Sequence, residues 1–346
     1  MSIEPDSFSG DQTADRALEL FRRALVWDNV WPVDLKGWPR FGNDWDTLSR
    51  FSRAGVGVIG ITLAGDNQNA SQALELVAWA RRQVFARNDQ LYLVQKMDDV
   101  KVAARAEKKR LGVVFQFEGA RCFERNIDLL EVFSVLGVKQ TLLAFNVSNS
   151  IGGGCTEENE SGLTRLGKRF VEEMQRVGMI VDLSHVGYRT SLDALSMARR
   201  PMVFSHSNAY AVHPSVRNVR DEQVRECARI GGLVGISGSS EYLGDRACST
   251  DAMFRHLDHF VQMVGARHVG IGLDSVFDAE AVSRYVSGRP EEWPFTTDSN
   301  WEGFRYAMPE QLLELTRMMI SRGYNDADVL NILGGNYVRV CSECWR

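Results

Sequence analysis

Eight short runs rich in apolar and β-branched residues recur along the chain, separated by stretches of helical spacing, and this alternation constrains the fold more than any other feature. The runs fall at 24–29, 55–63, 112–118, 140–145, 179–185, 201–206, 233–237 and 268–274. Helical periodicity marks 127–136, 163–177, 191–199, 221–230 and 251–264, then 309–322 and 326–333. Gly137, Gly178 and Gly231 stand where three of these end, as helix C-termini favour. Runs that are continuously apolar suit strands covered on both faces, hence a parallel sheet. The pattern predicts an α/β chain folded as one (β/α)8 TIM barrel over 1–346, with an N-terminal extension at 1–20 and helices over 305–346 packing on the barrel. An open doubly wound sheet is the alternative, but no G-x-G-x-x-G turn follows an early run.

Composition narrows the partners. The longest apolar stretch, 55–63, is far shorter than the ~18 residues of a membrane-crossing helix, so no membrane partner is expected. A net charge of -5 offers no broad basic surface, which argues against nucleic acid and leaves a small-molecule substrate. The first residues are polar and acidic, without the pattern of a secretory signal, and the six cysteines are scattered; reduced thiols and a cytoplasmic location are the expectation. Cys341 and Cys344 form a CxxC-like pair with no second pair to complete four ligands, so the C-terminus reads as a frayed segment rather than a zinc site.

Polar residues stand where the apolar runs stop: Asp28, Glu118, His185, His206 and Asp274. In a barrel these positions converge on the C-terminal mouth. A carboxylate and two imidazoles from separate strands are good ligand chemistry for zinc or a similar divalent ion, and Asp274 in GIGLD is placed to take a proton from bound water. Asp182, in DLSH, reads as a partner to a ligand or as a strand-end cap. Arg217, in HPSVRN, is a candidate fork for a substrate carboxylate. On the residues alone, plainer readings stay open: the histidines as hydrogen-bonded rim residues, Asp274 as a helix cap, Arg217 as a solvated surface side chain. Cys155, in GGGC, reads as a structural thiol or as a replacement ligand at the mouth. Trp27, Trp31 and Trp38 suit a methylammonium ligand through cation–π contact and equally suit a core.

From about Asp28 to Arg339 the chain resembles the membrane (renal) dipeptidase family, the M19 zinc peptidases of the amidohydrolase-like barrels. The strongest block begins at Gly162 with GLTRLGKRFVEEMQRVGMIVDLSHVG and continues through PMVFSHSNAYAV, RNVRDEQV and GGLVGIS; FEG around Glu118, VGIGLD before Asp274 and ILGGNYVRV near the C-terminus extend it. The resemblance implies a barrel of the metal-dependent hydrolase type that cleaves dipeptides, and members of the family often pair as homodimers. It implies Glu118 as a bridging carboxylate, His185 and His206 as imidazole ligands, and Asp274 as the proton-transfer acid. It further implies Arg217 as the holder of the substrate carboxylate and Tyr242 as a pocket residue. Two departures stand out. The family's first strand carries His-Asn-Asp, then one residue, then Pro; here the segment is Asp28, Asn29, Val30, Trp31, Pro32, so Asp28 keeps a donor and Val30 has none. The family's Leu-Thr-His-Asn is here Leu143, Ala144, Phe145, Asn146, which removes a donor to the tetrahedral intermediate. One zinc ion on Glu118, His185 and His206 is therefore expected, with the second site weakened or gone. The function expected is hydrolysis of a dipeptide or related small amide by metal-activated water, with Asp274 shuttling the proton. The alternative is a divergent barrel that acts on or binds another small molecule, such as a modified amino acid.

Overall fold

The computed structural model describes residues 12–35, 40–103 and 110–345. The start of the N-terminal extension, 1–11, and Trp38 lie outside the described residues. Among those described, nine parallel strands occur: β1 (Val26–Pro32), β2 (Val56–Gly65), β3 (Leu91–Leu93), β4 (Leu111–Glu118), β5 (Val138–Leu142), β6 (Ile180–Asp182), β7 (Val203–Phe204), β8 (Leu233–Ile236) and β9 (Val269–Ile271). Their order is β2-β1-β9-β8-β7-β6-β5-β4, and β2 pairs again with β4 to close an eight-stranded barrel. The ninth, β3, was not expected. It lies along the first residues of β4, with Leu91 opposite Leu111, before β5 takes over that neighbour from Phe115 onward. Three residues are too few to show a period, so such a strand leaves little trace in a sequence.

Local chemistry sets where the covering helices begin and end. Thr164 Oγ1 accepts from the Gly167 amide at the start of the helix Arg165–Val177, and Gly178 closes it at φ +80°. Ser249 caps the helix Thr250–Val264 in the same way through the Ala252 amide. Gly137 and Gly231 likewise take positive φ.

The barrel interior is layered. At the end where the strands begin, Trp27, Val58, Val114, Ile180, Val203 and Leu233 form an apolar plug with Tyr337 of the helix Asn336–Cys344. Trp27 stacks on Tyr337 at 5.8 Å, and the Tyr337 hydroxyl donates to the Ser205 carbonyl over 3.1 Å. This corrects the expectation of a frayed C-terminus: Cys341 and Cys344 are buried in a helix, because the open end of the barrel needs an apolar cover. The tryptophans find the same use. Trp27 belongs to the plug and Trp31 packs edge-on against Phe51 at 5.6 Å, so both serve the core rather than a cation cage.

Above the plug lies a polar layer within otherwise apolar runs. Trp27 Nε1 donates to Asn29 Oδ1, Asn29 Nδ2 to Gln140 Oε1, Gln140 Nε2 to Gln116 Oε1, and Gln116 Nε2 to Thr62 Oγ1, over 3.1 to 3.3 Å. Thr62 then donates to Glu118 Oε1 over 3.2 Å. Every member faces the same way, so the chain of bonds delivers a hydrogen to the carboxyl at the mouth; buried amides this far from water must be satisfied in such a closed set.

Candidate active site

The two histidines lie just beyond their strands. His185 is three residues past β6 and His206 two past β7. Asp182 ties the two segments together: its Oδ1 accepts from the Ser184 and Ser205 amides at 3.1 and 3.0 Å, and its Oδ2 takes Gln140 Nε2 at 2.8 Å. The close approach of neighbouring strands adds to this. A side chain at Gly235 or at Gly272 would place its first carbon 2.0 Å from the Ser205 carbonyl oxygen, so only glycine lets β8 and the end of β9 press against the segment carrying His206.

The imidazoles face each other, Nε2 to Nε2 at 2.9 Å. His185 Nδ1 lies 2.6 Å from Asn146 Oδ1, and Asn146 spends its Nδ2 on the Glu292 carbonyl at 3.0 Å. The network assigns the protons. His185 donates from Nδ1 and accepts at Nε2, His206 donates from Nε2, and the Ser205 hydroxyl donates to His206 Nδ1 over 2.7 Å. Burial holds both rings well below the usual imidazole range, and the nearby Arg217 guanidinium pushes them the same way. Phe145 stacks on His185 at 4.0 Å and 21°.

Three buried carboxyls lie at the same mouth: Glu118 and Asp274 border the cavity that His185 lines, and Asp28 lies near Asp274. Burial pushes Glu118 up to about 7, with Thr62 and Arg217 opposing and Asp182 adding to the rise. Burial also pushes Asp28 up to about 7 against the pull of its backbone hydrogen bonds. Asp274 rises well above the carboxylate range, first by burial and then by repulsion from Glu118. The first strand positions this last acid: Asp28 Oδ1 accepts from the Leu273 amide at 2.8 Å, and the Val30 carbonyl accepts from the Asp274 amide at 3.2 Å. Asn146, His185 and Asp274 all hold left-handed backbone, at φ 59°, 63° and 57°. Each such residue costs on the order of 1–3 kcal/mol and persists where its surroundings over-determine it, as at working sites.

Arg217 is buried, donates Nη2 to the His206 carbonyl at 3.1 Å and sits over the Tyr242 ring at 4.8 Å; its Nε has no partner. Asp28 Oδ2 is likewise buried and unpartnered. Two cavities meet at His185. One, of about 150 Å³, is bordered by Glu118, His185, Asp274 and Tyr242; the other, of about 680 Å³, by His185, Cys155 and Arg217. Burial pushes the Cys155 thiol up to about 11, and its Sγ donates to Asn146 Oδ1 over 3.5 Å, as a structural thiol does.

A two-ion centre does not fit these residues: Val30 offers no donor, and Asp28 already gives one oxygen to Leu273. One ion fits the donor chemistry of His185 and His206, whose Nε2 atoms converge: His185 already donates from Nδ1 to Asn146, and His206 would bind through Nε2 once its proton moves to Nδ1 and is donated to Ser205 Oγ. Among the described residues no group of three or more His, Cys, Asp or Glu side chains is gathered to hold an ion; Glu118 borders the same cavity as His185 but bonds Thr62.

Residues 61–285 match the model of the membrane dipeptidase family, peptidase family M19. The chain belongs to that family. Relatives of this M19 chain include the uncharacterized dipeptidase C965.12 of Schizosaccharomyces pombe, 34% identical over 212 residues, which are 58% of this chain and 50% of the relative. Dipeptidase tcpJ of Claviceps purpurea is 30% identical over 261 residues, 74% of this chain and 56% of the relative. The chain thus spans about half the length of the curated relatives it matches. Among solved structures, an amidohydrolase from Pseudomonas aeruginosa superposes with a TM-score of 0.83 at 23% identity, over 95% of this chain and 99% of that one. A metallo peptidase from Rhodobacter sphaeroides, liganded with a phosphinate mimic of the dipeptide L-Ala-D-Ala, gives 0.74 at 20% identity, over 93% and 100%. At these identities the likeness speaks for the M19 barrel fold.

Several residues of this site carry little signal in the sequence. Asn146, noted only beside the lost donor, sets the proton position on His185; its signal is that Asn tolerates left-handed backbone better than other side-chain-bearing residues. Ser205, one residue before His206, received no role in the sequence, yet its hydroxyl bonds the His206 ring. Residues 277–304 received no role, yet Trp293 and Phe304, with Tyr306 just beyond, wall the smaller cavity, and the density of aromatic residues there was the available signal.

Proposed function

We propose that this chain hydrolyses a dipeptide or a closely related small amide at the barrel mouth. The observation that carries the reading is the cluster of constrained, buried groups: three left-handed residues, two neutral imidazoles and raised carboxyls around two joined cavities. Family membership and the relatives' printed names as dipeptidases support it.

His185, His206 and Glu118 would hold one divalent ion, which when bound supplies Lewis acidity toward the amide carbonyl. The protein's own groups do the rest. Arg217, with an unpartnered Nε, orients a substrate carboxylate. Asp274, kept protonatable by burial and by Glu118, holds the proton that the leaving amine takes. Asn146 and Ser205 keep the two rings in one orientation. Phe145 in place of a donor removes transition-state stabilisation that is typically worth about 10²–10³ in rate, so turnover below that of donor-bearing relatives is expected.

The test is a panel of L,L- and L,D-dipeptides assayed with zinc supplied, beside elemental analysis of the purified protein. Hydrolysis of any of them with about one equivalent of metal supports the reading. Absence of turnover across the panel with metal bound removes it and favours the binding of another small molecule.

A further inference from the structure

We infer that the smaller cavity is a side-chain pocket that selects a single ring or a branched aliphatic group on the acyl side of the scissile amide. The inference rests on the hydrolase reading for its chemistry but on separate observations for its selectivity. The walls are Phe145, Tyr242, Val286, Trp293, Phe304 and Tyr306, with Glu118 and Asp274 bordering the polar side. These rings brace one another. Trp293 meets Phe145 at 5.7 Å and Phe304 at 5.9 Å, both edge-on; Phe304 stacks on Tyr306 at 5.7 Å and meets Tyr242 at 6.1 Å. A wall of interlocked rings does not collapse into the space it encloses, so the pocket is preformed and a ligand pays little to order it.

Size and charge narrow the occupant. The volume is about 150 Å³. An apolar cavity of about that size holds benzene, so a phenyl or a leucine side chain fits whereas an indole overfills it. Carboxyls of Glu118 and Asp274 border the pocket and no Lys or Arg is among its described lining residues, so an acidic side chain finds no cation to pair with there. Phe145 is the residue that turns the pocket apolar on the His185 side, because its ring covers the imidazole face. Direction comes from the second cavity. Arg217 lies in the larger space across His185, so a ligand whose carboxylate reaches Arg217 places its other end in the ring-walled pocket.

The zinc-supplied protein is assayed on L-Phe-Gly, L-Leu-Gly, Gly-Gly, L-Glu-Gly, L-Lys-Gly and L-Trp-Gly. The kcat/KM for L-Phe-Gly and L-Leu-Gly is expected to exceed that for Gly-Gly by about 10–100-fold, with L-Glu-Gly and L-Trp-Gly lowest. Equal rates across the series, or L-Lys-Gly matching L-Phe-Gly, overturn the pocket and leave the hydrolase reading standing. Calorimetric binding of L-phenylalaninamide against glycinamide reads the pocket without turnover, and at least about tenfold tighter binding of the former is expected. That preference without hydrolysis of any dipeptide keeps the pocket and removes the hydrolase reading; equal binding overturns the pocket. Val282→Phe, which adds a ring to the pocket wall from the helix Ala279–Ser287, should lower the L-Phe-Gly to L-Ala-Gly ratio. An unchanged ratio in a variant with a wild-type melting curve overturns the assignment, and the wild-type series decides the matter if the variant does not fold.

Discussion

The two sides of the barrel mouth are built from the same kind of strand end but hold their polar groups differently. Beyond β6 and β7, every ring nitrogen of His185 and His206 has a partner, and Asp182 clamps both segments from below. At β1, Val30 is wholly buried core, Asp28 uses one oxygen to hold the Leu273 amide, and its other oxygen is unpartnered. One side holds an imidazole pair whose ring nitrogens are all bonded. The other has become a seam that fixes the peptide carrying Asp274. A strand end that loses a donor is thus not idle: its backbone and remaining carboxyl still position the acid next to it.

The largest expected effect tests what the seam serves. Asp274→Asn should lower kcat/KM by about 10²–10⁴, since the lost function is proton transfer. The melting temperature should hold, because Asn accepts the left-handed backbone that Asp274 occupies. Full turnover in that variant would end the comparison, leaving Asp274 a structural residue. Next, His206→Ala should cost about 1–3 kcal/mol in urea unfolding, as the Ser205 hydroxyl and His185 Nε2 lose their partner. Zinc retained after dialysis should fall to background in the same protein. Retention at the wild-type level would mean that the imidazole pair is not the metal-holding side.

Asp28 gives a pH-dependent contrast. Its folded-state pKa is raised from 3.8 to about 7, so between those values the folded chain holds a proton that the unfolded chain has released. Stability contributed at this position therefore falls as pH rises from about 4 to about 7, opposite to an ion-paired carboxylate. In chelator-treated protein, Asp28→Asn should leave stability unchanged near pH 4 and raise it by about 1–3 kcal/mol at pH 8. A variant that is less stable at pH 8 would show the charge to be compensated and the seam to be more than backbone support. The smallest effect is expected away from both sides. Arg176 pairs with Glu131 and Glu173 on the outer helices, about half exposed, and Arg176→Ala should leave the unfolding midpoint at the wild-type value within measurement scatter. A larger loss would mean that the outer helices, rather than the mouth, set the stability of this barrel.

Much of this molecule was legible from residues alone. The runs that became β1, β2, β4 and β9, and the helix ends marked by Gly137, Gly178 and Gly231, follow from periodicity and cap chemistry, which act over a few residues. The positions of Glu118, His185, His206 and Asp274 at one mouth follow from the barrel rule. The polar layer of Asn29, Gln116 and Gln140 was hidden because each amide sits singly in an apolar run and only its partners on other strands explain it. The C-terminal helix was misread for a similar reason: what it covers lies on six strands distant in sequence.

The sequence by itself determined the barrel, its family and the chemical types available at the mouth, because side-chain period and strand-end position are local properties. Only the tertiary structure decided the rest. It turned Asp28 into a clamp on Leu273, placed Asn146 and Ser205 on the far nitrogens of two rings, and folded the aromatic segment after β9 into a pocket wall. Those outcomes depend on which distant groups are brought within hydrogen-bonding or packing distance, and that is set by closure of the sheet.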